Sequence, residues 1–321
     1  MTVAVFAILQ TSFAEVDWTT SPVVINEGAK DNPIVVEGAT TNAIASLEIT
    51  STGALKLADA AAITMSDASQ KVNGYLELND SALFDSAKGL VAIGNSEGDS
   101  GEVVVNGGVF KFYDAAAGNA GYGHFVLNGG SVCSQTTGTD GHDDFCIGKA
   151  ATGEGLVEVS GGAFGVFRSL TIGAEGKGKL VLTGGSASSS KYMFMGRSSG
   201  SQGTLILNGG SVTRTGTSQS IVAEYGTATI VVSSGTFSCG TVTFAKYAGS
   251  KARLVIYEGC SMGGGKTRRR SMANTVTAKC SSTEVCWRKA ERAPRLTMSD
   301  RMAPTRSCAA GVRRIGARRS R

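Results

Sequence analysis

Arginine is nearly missing from most of this 321-residue chain. The first 262 residues hold four (Arg168, Arg197, Arg214 and Arg253), whereas the last 59 hold thirteen. Acidic residues outnumber basic ones 23 to 15 up to residue 262, and basic outnumber acidic 16 to 3 beyond it. The overall charge of +5 therefore describes neither part and argues for no nucleic-acid partner. Proline is scarce too, with only Pro22 and Pro33 in the first part. No apolar run approaches the ~20 residues of a membrane-spanning helix. No segment spaces its apolar residues as an amphipathic helix does.

What the first part has is glycine, 39 of the chain's 44, together with valine, alanine, serine and threonine. Apolar residues come in bursts of three to five closed by Gly or Asn, the pattern of short strands and tight turns. One phrase recurs: "EVVVNGG" (102–108), "HFVLNGG" (124–130), "LVEVSGG" (156–162), "KLVLTGG" (179–185), "TLILNGG" (204–210), "TIVVSSG" (229–235) and "RLVIYEG" (253–259). The residue before the two small ones falls at positions 106, 128, 160, 183, 208, 233 and 257. The steps are nearly equal except for the longer one from 128 to 160. "YLELNDS" (75–81) and "SLEITST" (46–52) read as weaker, earlier copies. A second anchor alternates with the first: "VAIG" (91–94), "FCIG" (145–148), "LTIG" (170–173) and "MFMG" (193–196), with "IVAE" (221–224) and "VTFA" (242–245) as degenerate forms. A third short apolar piece follows each first anchor, as in Val109-Phe110, Ala163-Phe164, Ser211-Val212 and Thr236-Phe237.

A period of about 24 residues also suits leucine-rich repeats, but those need a regular Leu/Asn pattern and a helical or extended return that this chain lacks. The pattern predicts an all-β fold, a parallel β-solenoid of about 22–25 residues per coil, with right-handed crossovers. Eight or nine coils stacked ~4.8 Å apart would make a rod roughly 40 Å long. The pairs Gly107-Gly108, Gly129-Gly130, Gly161-Gly162, Gly184-Gly185 and Gly209-Gly210 are expected to turn the coil corners at positive φ, with the preceding Asn tolerating the same conformation. Asn106 and Asn128 are expected to bond to each other along the stack.

The alternation of "G-x-L-x-L-x-G-G" with "L-x-I-G" resembles the strand repeats of autotransporter passenger domains and related secreted bacterial β-helix proteins. The resemblance covers residues 75–259 well and 23–74 poorly. It implies export from a Gram-negative-type cell, a secreted or cell-surface location, a rod-like passenger and a structural or adhesive role. The implied partners are glycans or neighbouring cell surfaces.

Residues 1–14 fit a signal peptide: Val3–Leu9 is a short apolar core, and Ser12 and Ala14 are small residues before a cleavage site at Glu15. No basic residue precedes that core. At the other end, "GGGKT" (263–267) invites comparison with a phosphate-binding loop. That motif requires glycine at position 260, which is Cys260, and a following amphipathic helix, which is missing. No nucleotide site is expected. The basic segment 263–321 carries neither anchor and is expected to be disordered, either a polyanion-binding tail or, the favoured reading, out-of-frame sequence.

The long step from 128 to 160 contains an insertion flanked by Cys133 and Cys146, which makes them a candidate disulfide. The same insertion holds Asp140, His142, Asp143 and Asp144. Clustered carboxylates on a β-helix could activate water against a polysaccharide or hold calcium, and a polysaccharide lyase or hydrolase acting through 138–146 is the alternative function. A solvated turn explains the same residues, so no catalytic residue, metal or cofactor is assigned. Cys280 and Cys286 do not have zinc-ligand spacing, and Cys239, Cys260 and Cys308 have no evident partner. His124, beside Phe125, reads as a packed or exposed strand residue. Tyr113, Tyr122, Phe164, Phe167, Tyr192 and Phe194 are candidates for stacking on sugars, although strand positions favour packing.

Overall fold

The computed structural model of the protein describes residues 16–66, 69–135 and 144–257, and the backbone of Ser261–Gly263 and Thr275–Cys280. Segment 1–14, expected as a signal peptide, lies outside the described residues. Every regular element among those residues is a β-strand, and no helix is long and apolar enough to cross a membrane.

The strands form three parallel ladders around one core. Ladder I is a 10-stranded sheet running from Val23–Ile25 to Val242–Phe244, so its strands bound nine turns of a β-solenoid. Ladders II and III belong to one 19-stranded sheet, because Gln202–Arg214 and Thr227–Ser238 pass through the corner between them unbroken. One coil reads Leu90–Ile93 in ladder I, Ser100–Val105 in ladder II and Val109–Phe112 in ladder III. The next reads Asp114–Ala117, Tyr122–Leu127 and Ser131–Ser134. In ladder II, Val103 pairs with Phe125, then Val157, Leu180, Leu205, Ile230 and Leu254. Each sits at the same offset before its anchor in the repeated phrase, so the ladder reproduces the sequence steps, the long one included. The second anchor is ladder I and the third apolar piece is ladder III.

Period-2 alternation fills the core. In Tyr122–Leu127 the residues Gly123, Phe125 and Leu127 are buried while Tyr122, His124 and Val126 face out. Vertical stacking sets like on like. Phe84 and Phe110 stack face to face with ring centroids 4.7 Å apart, and Phe110 meets Phe125 edge-on at 5.2 Å. Phe125, Phe145 and Phe164 continue the edge-to-face chain at 4.8–6.0 Å. Each such pair contributes about 0.5–1.5 kcal/mol beyond the area it buries. At the N-terminal end Val16 and Trp18 pack against this core.

The corners show where sequence expectations need correction. Within each Gly-Gly pair only the second glycine has positive φ, as at Gly108 (70°) and Gly130 (70°). The first is required for space: a Cβ at Gly129 would crowd the carbonyl of Asn106. The preceding asparagines do not adopt positive φ at all. "SLEITST" is not a ladder II copy either. Leu47–Ile49 pairs with Val23–Ile25 in ladder I, and Ala54–Leu57 is the ladder II strand of that coil. The reason is the corner at Gly53, where the chain presses against the carbonyl of Ile25 and leaves no room for a side chain. Most of the basic tail lies outside the described residues. Within it Thr275–Cys280 adds a parallel strand to Lys251–Ile256, continuing ladder II.

In the five coils from Leu90–Ile93 to Tyr192–Met195, a glycine after the ladder I strand (Gly94, Gly118, Gly148, Gly173 and Gly196) turns the chain toward ladder II at positive φ. Gly173 does so at φ 72°, where a Cβ would overlap the carbonyl of Gln202. In the degenerate anchors Ala223 (63°) and Ala245 (47°) occupy this place in the left-handed region. Gly173→Ala is therefore expected to lower stability by at least ~1–2 kcal/mol, whereas Ala223→Gly raises the melting temperature by relieving the same strain. Thermal denaturation followed by circular dichroism compares the two, and a Gly173→Ala protein as stable as its parent would contradict this account of the corner.

Candidate functional site

Stacked coils place each outward side chain over its equivalent, and like charges directly opposite one another are unfavourable. The ladders mostly answer with opposite charges. Lys71 meets Glu48 at 3.3 Å, Lys111 meets Asp85 at 3.2 Å and Lys177 meets Glu154 at 3.5 Å, each one coil apart in register. Such solvent-facing pairs contribute at most ~1 kcal/mol each.

Asp114 and Asp144 break this pattern. They open the ladder I strands Asp114–Ala117 and Asp144–Ile147, and the pairing of Ala115 with Phe145 sets one aspartate over the other. The Asp144 N–H donates to Asp114 Oδ1 at 3.0 Å, and Arg168 Nη1 donates to Asp144 Oδ2 at 2.8 Å. Burial pushes the Asp144 carboxyl above its usual value, and the Asp114 charge adds to this; Ser169 and Arg168 pull it the other way. The structure thus gives Asp144 a carboxylate neighbour on the adjacent coil that the sequence did not reveal. The missed signal is "AAAG" (115–118), a second anchor without apolar bulk, which would have aligned Asp114 with Asp144. Asp140, His142 and Asp143 lie outside the described residues.

A second polar cluster lies on the outer face of ladder II. His124 sits between two carboxylates, its Nδ1 3.3 Å from Glu102 Oε1 and its Nε2 2.8 Å from Glu158 Oε2. Lys30 reaches Glu102 at 2.6 Å and lies 5.3 Å above the ring of Tyr75. Tyr122, on the same face, is held in its neutral phenol form by burial and by Glu154, Glu158 and Glu102, which raise its pKa. His124 is half-buried, so the strand reading holds, but its carboxylate partners sit on the coils either side and appear only when the repeats are aligned. Among the described residues no group of three His, Cys, Asp or Glu side chains is arranged to hold a metal ion.

The asparagine ladder forms as expected. Asn128 Nδ2 donates to Asn106 Oδ1 at 2.8 Å, Asn106 Nδ2 donates to Asn79 Oδ1 at 2.9 Å, and the Ser160 hydroxyl extends the line to Asn128. The aromatic candidates divide. Phe164 belongs to the core at 1% exposure, which removes it as a sugar platform. Tyr113, Phe167, Tyr192 and Phe194 are half-buried, and Tyr122 is exposed. Tyr192 and Phe194 stack at 5.6 Å, and Arg197 lies 4.8 Å over Phe194. Just beyond them the exposed Tyr225 and Tyr247 stack at 4.2 Å on successive corners. This pair was missed, although "VAEY" and "FAKY" place the two tyrosines at the same offset.

The candidate disulfide is overturned: Cys133 and Cys146 are free thiols. Cys133 takes an outward position of ladder III between buried Val132 and Ser134, and Cys146 an outward position of ladder I between buried Phe145 and Ile147. The two side chains leave the coil through different faces, so the Cβ atoms cannot approach as a disulfide requires. Cys239 is buried, and that burial pushes its thiol up to about 12. Cys260, Cys286 and Cys308 lie outside the described residues.

Comparison with known proteins supplies no relative: no family model, no curated protein and no solved structure matches the chain.

Two measurements check this geometry. Because folding raises the Asp144 pKa, the folded chain binds that proton more tightly than the unfolded one. Stability therefore falls as pH rises from the ordinary aspartate value through the raised one. Asp144→Asn removes this titration and is expected to gain stability relative to its parent between about pH 3 and neutrality; a constant difference in denaturant midpoint across that range would contradict it. Alkylation of the denatured, unreduced protein is expected to label both Cys133 and Cys146, and recovery of their peptides as a linked pair would refute the free-thiol assignment.

Proposed function

We propose that the protein is a secreted or cell-surface β-solenoid with a structural and adhesive role, presenting long flat faces to glycans or neighbouring cells. The observation that carries this reading is the row geometry. Side chains of one chemical kind recur every coil on an outward face, as in the line Asn79, Asn106, Asn128 and Ser160. A regular polymer with a repeating hydroxyl pattern can meet such a row at several coils at once, and many weak contacts add up by multivalency. The stacked Tyr192–Phe194 pair with Arg197, and the Tyr225–Tyr247 pair, supply π faces and edges of the sort that sugars pack against.

A polysaccharide hydrolase or lyase is the second reading, and one observation favours it. Asp114 over Asp144, with Arg168 alongside, puts two carboxylates together where most charges stacked on the strands are opposed. Two neighbouring carboxyl groups, one of them with its pKa raised by burial, are the usual equipment for glycosidic bond cleavage.

The two readings separate in one experiment. The full chain is incubated with a panel of acidic and neutral polysaccharides, and both co-sedimentation and polymer length are followed. Retention of at least one polymer with unchanged length is the expected result. Depolymerisation that disappears in the Asp114→Ala/Asp144→Ala variant would replace the adhesive reading with the enzymatic one.

A further inference from the structure

We infer that the C-terminal half of the ladder II outer face binds an acidic polysaccharide that lies along the rod. The inference rests on the glycan-binding reading and adds the chemical class of the polymer and the place where it binds. Parallel register lays the face out in rows. One row reads Lys179, Thr204, Thr229 and Arg253, with Lys251 beside Arg253 on the same strand. Next to it runs a half-buried β-branched row, Val181, Ile206 and Val231, an apolar strip of the kind that the C–H faces of sugars pack on. In ladder II, the four strands from Lys177–Leu182 to Lys251–Ile256 carry no acidic residue.

What marks this stretch is charge without an internal partner. On the other ladder strands, Lys56 meets Glu77, Lys71 meets Glu48 and Lys111 meets Asp85, and Lys177 reaches back to Glu154. Lys179, Lys251 and Arg253 meet none. Among the described residues their exposed side chains make no ion pair and no hydrogen bond, and the hydroxyls of Thr204 and Thr229 between them are equally free. Free hydroxyls framed by free cations complement a chain that carries both hydroxyls and anionic groups, because hydrogen bonds to a charged partner are the stronger kind. Lys179 and Arg253 are three coil steps apart, ~14 Å along the axis. A polymer parallel to the rod spans that distance and engages both ends at once, so that weak contacts reinforce one another.

Glu154 and Glu158, on the preceding strand, repel a polyanion and set the limit of the site toward the N-terminus. A nucleic acid fits this surface less well. Duplex DNA carries one charge per ~1.7 Å of its axis, far denser than these cations. In ladder II no aromatic side chain stands on the four strands for a base to stack on.

The test is binding of the full chain to immobilised polygalacturonate and heparin, with carboxyl-reduced polygalacturonate as the neutral counterpart. The parent protein is expected to bind at least one acidic polymer, less tightly as salt rises, and to bind the reduced polymer at least tenfold more weakly than polygalacturonate or heparin. Lys179→Glu/Arg253→Glu should lose at least tenfold in affinity for the acidic polymer with an unchanged circular dichroism spectrum. Lys88→Glu/Lys149→Glu makes the same change of charge outside the ladder strands and should bind as the parent does. Every variant keeps the basic segment 263–321, so an affinity that survives Lys179→Glu/Arg253→Glu would place binding elsewhere and overturn the inference. Binding of neutral polymers alone would overturn it while the glycan-binding reading stands, and binding of no polymer would overturn both. Duplex DNA bound more tightly than either acidic polymer, and lost in the same variant, would assign the face to nucleic acid instead.

Discussion

In a parallel ladder closed into coils, each residue hydrogen-bonds along the axis to its own equivalent one turn away. That register constrains every other feature of the molecule. A core position must suit the residue above and below it, as Phe110 does over Phe84, and it must also meet the side chains that the other two ladders send inward, as Phe125, Phe145 and Phe164 meet edge to face across the core. An amide side chain finds a donor on one side and an acceptor on the other, as along Asn79, Asn106 and Asn128. A charge, by contrast, cannot be repeated without cost, so Lys111 follows Asp85 and Lys177 follows Glu154.

This dependence explains what could be read from the amino acids. Ladder II was legible because its corner needs two small residues in a row, and Gly-Gly is an unambiguous mark. Ladder I was legible where a bulky triplet precedes glycine and illegible at Ala115–Ala117, whose small side chains look like turn residues. Leu47–Ile49 was misplaced because its alternation alone cannot say which ladder it joins; only the close approach at Gly53 decides that. The polar clusters were the least visible. His124 meets Glu102 and Glu158, and Asp114 meets Asp144, across coils of unequal length, so an error of one position in the assumed period hides the contact.

One buried charge falls outside the register logic. Arg214 is 6% exposed at the inner end of ladder III. Its guanidinium donates to the Cys239 carbonyl at 3.0 Å, to the Ser220 hydroxyl at 2.9 Å and to the Gly216 carbonyl. No carboxylate among the described residues pairs with it. A guanidinium satisfied by carbonyls and a hydroxyl holds the turn at 214–220 against the next coil at Cys239, where the regular glycine corners have already given way to Ala223 and Ala245. The cost of desolvating that charge is offset only while all three acceptors stay in place.

The alternating vertical contacts also set how the molecule bears load. Hydrogen bonds along the axis act in parallel across three faces, and a pull on one terminus is met by a single coil at a time. A coil of about 24 residues that peels away shortens the rod by ~4.8 Å and frees up to ~80 Å of chain. The rod therefore behaves as a stack of separate extensible loops, able to release length turn by turn while the coils beneath remain folded.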